Sequence, residues 1–128
     1  MIISHSAADT IAFGRQLAAR LKPGAVVALT GDLGAGKTCL VKGIAAGLGV
    51  KQEITSPTFT VIHEQPPLAH VDLYRLDAAE GLGLEEYLRP PWITVIEWAE
   101  KCESLLPANT IRIRLTVTGE NSRRIEVA

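Results

Sequence analysis

Residues 31 to 38 read Gly-Asp-Leu-Gly-Ala-Gly-Lys-Thr, and no other stretch restricts the fold of this chain so tightly. The glycines remove side chains where backbone N–H groups must close around phosphate oxygens. Lys37 adds a point charge for the β and γ phosphates, and Thr38 a hydroxyl suited to Mg²⁺. A GxxxxGK(S/T) loop of this kind needs a strand before it and a helix after it, whose N-terminus adds partial positive charge. Both are predicted here. Ala25 to Thr30 is a short apolar run suited to a strand buried on both faces of a parallel sheet. Downstream, Leu40, Val41, Ile44, Ala45 and Leu48 recur at helical spacing before Gly47 and Gly49. The loop in this setting predicts a nucleoside triphosphate site.

The rest of the chain extends that unit. Ser6 with Asp9 three residues later predicts a helix N-terminus, and Ile11, Gly14, Leu17, Ala18 and Leu21 fall on one face of a helix ending at Pro23-Gly24. Residues 59–63 form a β-rich stretch. Pro66-Pro67 breaks the chain, and Leu68 to Tyr74 reads as a strand with His70, Asp72 and Tyr74 on one face. A short helix beginning at Asp77 is expected to stop at Pro90-Pro91, before a strongly buried strand over 92–96 that ends on Glu97-Trp98. Segments 110–117 and 123–127 are joined in hairpin fashion by Gly119 to Ser122. Strands interleaved with helices around one phosphate loop predict a three-layer α/β P-loop NTPase fold. Its central sheet is mostly parallel, with an antiparallel edge from the C-terminal hairpin.

Length and charge narrow the function. With 128 residues the chain is expected to be a single domain, residues 1–128, so any activity must fit on one sheet. A net charge of −1 gives no general basic field for DNA or tRNA. Arg112, Arg114, Arg123 and Arg124 cluster near the C-terminus, but alternation in Ile111-Arg112-Ile113-Arg114-Leu115 favours a solvated strand face over a nucleic-acid patch. Cys39 and Cys102 have no metal-ligand or redox spacing. No signal peptide or long apolar span is evident, so a soluble cytoplasmic protein without membrane contact is expected.

Three further residues are candidates for the chemistry. Glu97 ends the most apolar strand after the one that feeds the loop, where a carboxylate opens onto the ligand crevice and suits Mg²⁺; the alternative is a surface glutamate. Asp72 either orients water or the metal's water shell, or caps a loop or pairs with Arg75. Thr58, in Ser56-Pro57-Thr58-Phe59, stands where a switch segment contacting Mg²⁺ or the γ-phosphate would stand, or simply in a turn. His63 and His70 read as hydrogen-bonding structural residues, and no arginine announces itself as a finger.

Four elements in order, the loop at 31–38, Ser56-Pro57-Thr58-Phe59, His70-Val71-Asp72-Leu73-Tyr74-Arg75 and Glu97-Trp98, resemble the TsaE (YjeE) family of small bacterial ATPases in tRNA threonylcarbamoyladenosine synthesis. The resemblance implies binding of ATP or ADP with Mg²⁺, and hydrolysis supporting repeated turnover by the partners TsaB and TsaD, which modify the adenosine beside the anticodon. Contact with tRNA is then only indirect. By position, Leu33, Gly34, Ala35, Gly36, Lys37 and Thr38 would hold the phosphates, and Thr38 and Glu97 the metal. Lys37, Asp72, Glu97 and Thr58 would serve hydrolysis, with Trp98 in hydrolysis or partner coupling. Ser6 to Thr10 resembles the adenine-contacting region, so Ser6 and Thr10 are cofactor-site candidates. Two other readings compete: a small P-loop kinase, although no Arg-rich lid occurs, and a nucleotide-gated binding module regulating the complex. Without DxxG or NKxD sequences a GTPase fits worse.

Overall fold

The computed structural model describes residues 1–32, 34–51, 62–74 and 83–128. Strand β1 (Ile2–Ser4) precedes helix α1 (Ala7–Ala18), and β2 (Val26–Thr30) precedes α2 (Lys37–Gly47). Then follow β3 (Ile62–Gln65), β4 (Leu68–Asp72), β5 (Ile93–Glu97), β6 (Ile111–Val117) and β7 (Arg123–Val127), with 3₁₀ segments at Leu84–Leu88 and Ala99–Leu105. All strands join one sheet in the order β1-β7-β6-β2-β5-β4-β3. The four central strands β6, β2, β5 and β4 are parallel, and the outer pairings are antiparallel. This is the P-loop arrangement expected.

Its details differ from expectation at both edges. The C-terminal hairpin forms, but β6 pairs with β2 inside the sheet and β7 is itself covered by β1. Three residues, Ile2-Ile3-Ser4, are too few for a periodic signal, so β1 emerges only through its partner. At the other edge Pro66-Pro67 forms the turn between antiparallel β3 and β4. Strand β4 stops at Asp72 because the Asp72 Oδ1 accepts the Tyr74 backbone N–H at 2.9 Å, turning the chain. Tyr74 therefore lies beyond the strand on which it was expected. Helix α1 ends at Ala18, earlier than Pro23-Gly24, although Leu21 is still buried. Of the helix expected from Asp77, the described part is the 3₁₀ turn Leu84–Leu88.

Strand β2 is apolar throughout because it is covered on both faces. Val27 and Leu29 pack toward Leu17, Leu40, Val41 and Ile44 of the two helices. Val26 and Ala28 face the other way, toward Leu84, Ala99 and Cys102 of the 3₁₀ segments. Arg112 and Arg114 on β6 are exposed while Ile113 and Leu115 are buried, so the alternating arginines do form a solvated face. Arg112 pairs there with Glu103 at 2.7 Å.

The helices meet backbone to backbone. A Cβ at Gly43 would lie 2.1 Å from the Ile11 carbonyl oxygen, and one at Gly14 2.5 Å from that of Leu40. That contact seats α2, and with it the loop at its N-terminus, against α1. Gly43→Ala should accordingly cost about 1–3 kcal/mol in chemical denaturation, the usual range for overpacking. Gly119→Ala, where a Cβ would meet only Ser122 at 3.6 Å, should stay within about 0.5 kcal/mol.

Candidate functional site

Parallel pairing brings the C-terminal ends of β2, β5 and β4 to one sheet edge, where ligands of open α/β sheets bind. Leu29 stands opposite Glu97, and Glu97 opposite Asp72. From Thr30 the chain enters the glycine loop. Gly31 has φ 147°, and a Cβ there would sit 2.6 Å from the Leu115 carbonyl oxygen, so β6 presses directly on the loop. Gly36, at φ 97°, turns the chain into α2 and leaves the helix N-terminus without a side-chain cap. A helix N-terminus carries partial positive charge, which suits an anion.

Lys37 is the first residue of α2 and is 5% exposed. Its Nζ donates to the Gly31 carbonyl and lies 3.7 Å from the centre of the Trp98 ring, a cation–π contact. Trp98 reaches this position through a left-handed backbone, φ 62° and ψ 41°, unusual for a bulky residue and worth roughly 1–2 kcal/mol of strain. Tyr74 flanks the indole, with ring centres 5.1 Å apart. Burial lowers the Lys37 pKa, opposed by the negative field of Glu97, Glu100, Asp72 and Asp32.

Glu97 is buried, and its Oε2 accepts from His70 Nε2 at 2.5 Å. Asp72 is half-buried; burial raises its pKa, partly offset by the Tyr74 N–H, and the nearby Glu97 pushes it up further. Carboxylates on adjacent strands and the Thr38 hydroxyl in the first turn of α2 are hard oxygen donors of the kind Mg²⁺ takes. Among the described residues no three His, Cys, Asp or Glu side chains form a self-sufficient metal cage. A Mg²⁺ site completed by phosphates and water needs only one or two protein oxygens, so this donor set fits.

Beside the loop a cavity of about 130 Å³ is lined by Ser6, Ala7, Thr10, Gly36, Cys39, Glu120, Asn121 and Arg123. The structure thus brings Ser6 and Thr10 to the loop, although their hydroxyls serve the fold: Ser6 Oγ caps α1 by accepting from Asp9 N–H, and Thr10 Oγ1 bonds Ser4 Oγ at 2.7 Å. Arg123 was missed as a site residue by the sequence reading. Its guanidinium donates to the Gly34 carbonyl at 3.1 Å and to the Ser122 carbonyl at 2.8 Å, tying the β6–β7 turn to the loop. An 89-residue separation leaves no local signal of this contact. Leu33, Thr58 and Arg75 lie outside the described residues. Lys37, Asp72, Glu97 and Trp98 come together, with Thr38 following Lys37 in the first turn of α2.

Fold and loop together define a P-loop protein with carboxylates at the strand ends beside the glycine loop. The family model for "Threonylcarbamoyl adenosine biosynthesis protein TsaE" matches residues 4–125, and the chain belongs to this TsaE family. It is 45% identical to the tRNA threonylcarbamoyladenosine biosynthesis protein TsaE of Treponema pallidum, covering 98% of each chain. It is also 43% identical to the protein so named from Bacillus subtilis, over 91% of this chain and 77% of that one. Its structure is similar to the crystal structure of Bacillus subtilis YdiB, with a TM-score of 0.81 and 38% identity, covering 97% of this chain and 80% of that one. No helix among the described residues is long and apolar enough to cross a membrane.

The raised Asp72 pKa has a consequence for stability. The folded state holds this proton more tightly than the unfolded chain, so Asp72 favours folding at acid pH, and that advantage is lost as pH rises through the raised folded value. Asp72→Asn should therefore raise the denaturation midpoint at pH 7, with the gain shrinking toward pH 3. Urea melts at both pH values check the sign.

Proposed function

We propose that this chain binds ATP with Mg²⁺ and hydrolyses it in the cytoplasm, as the accessory ATPase of tRNA threonylcarbamoyladenosine modification, acting with TsaB and TsaD. One observation carries the reading: Lys37, Asp72 and Glu97 meet at the mouth of a glycine loop that leads into the N-terminus of α2. A free triphosphate would be repelled by Asp72, Glu97 and Glu100, which explains why a divalent cation is needed. When bound, Mg²⁺ neutralises and orients phosphate oxygens, with Thr38 and Glu97 as its protein ligands.

The other steps belong to the chain. Loop N–H groups and the α2 N-terminus hold the phosphates, and Lys37 leaves the Gly31 carbonyl to meet the charge that develops in the transition state. Asp72 has Oδ1 committed to Tyr74 N–H, leaving Oδ2 to orient the attacking water. Thr58 is the proposed switch residue. The cavity between Ser6, Thr10 and Arg123 would take the nucleoside. No arginine in the sequence announces itself as a finger, so turnover by the chain alone should be slow and rise with the partners.

A nucleotide-gated module is the second reading, favoured by one contact. Since Lys37 rests against Trp98, a nucleotide that draws Lys37 away also frees the indole, a signal that needs no hydrolysis. An Asp72→Asn protein that binds ATP without turning it over separates the two: full tRNA modification by it favours the module, loss the engine. For the engine, Lys37→Ala and Glu97→Ala should each cut phosphate release in the assembled complex by about 100-fold or more. Unchanged release in both would remove this site assignment.

A further inference from the structure

The sequence marks His70 as a structural histidine, and in the fold it is a neighbour of Glu97. It is fully buried on β4, two residues before Asp72 on the same face, and opposite Val95. Its ring therefore reaches diagonally across to Glu97 on β5. Because an ionised carboxylate only accepts, Nε2 carries the hydrogen of the 2.5 Å bond to Oε2. The other ring nitrogen, Nδ1, is buried and has no hydrogen-bond partner among the described residues. A histidine kept for packing alone would not leave a polar atom unpaired in the core, a cost apolar side chains of similar size avoid. Its one bond is spent on one oxygen of one carboxylate.

We propose that His70 is the positioning residue of the site: by holding Glu97 Oε2 it fixes the carboxylate's rotamer and presents Oε1 alone toward the phosphate loop. This inference rests on the reading of Glu97 as a ligand of the divalent cation, and it deepens that reading. With Oε2 occupied, Glu97 acts through a single oxygen, leaving room for phosphate oxygens and water around a small cation that keeps an octahedral shell. A hydrogen-bonded carboxylate also loses less rotamer freedom on binding than one free to swing.

The test uses the full chain and Mn²⁺ as the probe, its affinity in the presence of ADP measured by electron paramagnetic resonance, with ADP affinity in EDTA measured alongside. His70→Leu should weaken Mn²⁺ about 10- to 100-fold and leave metal-free ADP binding unchanged. His70→Gln, whose side-chain N–H₂ can still reach Oε2, should recover most of the loss. In a Glu97→Ala background His70→Leu should add nothing, since its effect passes through that carboxylate. If His70→Leu does not fold, His70→Asn, too short to reach Oε2, takes its place in the same comparison. Wild-type protein that binds Mn²⁺ with ADP, together with variants that match it or that lose affinity additively with Glu97→Ala, overturns the positioning role alone. A wild-type protein in which Mn²⁺ does not bind with ADP overturns the cation site first and this inference with it.

Discussion

The parallel register of β2, β5 and β4 is the constraint from which the site follows. Leu29 opposite Glu97, and Glu97 opposite Asp72, mean that three strands end together, one feeding the glycine loop and two delivering carboxylates. A slip of one residue in β5 would turn Glu97 to the opposite face, away from His70 and Lys37. Register is secured by continuous burial: β5 is buried at every position and β2 at all but its last, so neither has a face to trade. The same apolar strands that make the core therefore set the spacing of the charges.

What those charges do to one another is a matter of burial more than of contact. Lys37 faces several carboxylates yet forms no close ion pair with any of them among the described residues; its nearest partners are a carbonyl and an indole. Burial pushes its pKa down while the carboxylates push it up, and Asp72 next door is raised by burial and by Glu97. Lys37 is thus held by a carbonyl and an aromatic face amid negative charge that it does not pair with, and Trp98, in a left-handed conformation, covers it.

Much of this was legible in the sequence where local physics governs. The glycine loop, the buried strands over 26–30 and 93–97, the Ser6 cap and the alternating arginines of β6 each carry their signal within a few residues. Glu97 was legible as a carboxylate at an apolar strand end, and Asp72 as a carboxylate on a strand face, though not as that strand's last residue. Arg123 at the loop, His70 at Glu97 and β1 at the sheet edge were not, because each is defined by a partner 27 or more residues away. The close helix crossing was hidden for a different reason. Gly14 and Gly43 look like weak points within helices and acquire their meaning only when the second helix arrives.

That crossing also bears on how the site works. A helix seated by backbone contact has little freedom to slide, since any shift along α1 brings a carbonyl against a main chain already at its limit. The N-terminus of α2 is thus a fixed reference, and the loop glycines preceding it are pinned by Leu115 on one side and Arg123 on the other. On the proposed function, adjustment to a bound nucleotide falls on side chains, Lys37 and Trp98 foremost, rather than on the helix. Trp98 joins β5 to the 3₁₀ segment Ala99–Leu105 and packs with the cluster on the face of the sheet opposite the helices. A rigid glycine loop beside one strained aromatic residue is a construction in which side chains can move without reshaping the loop itself.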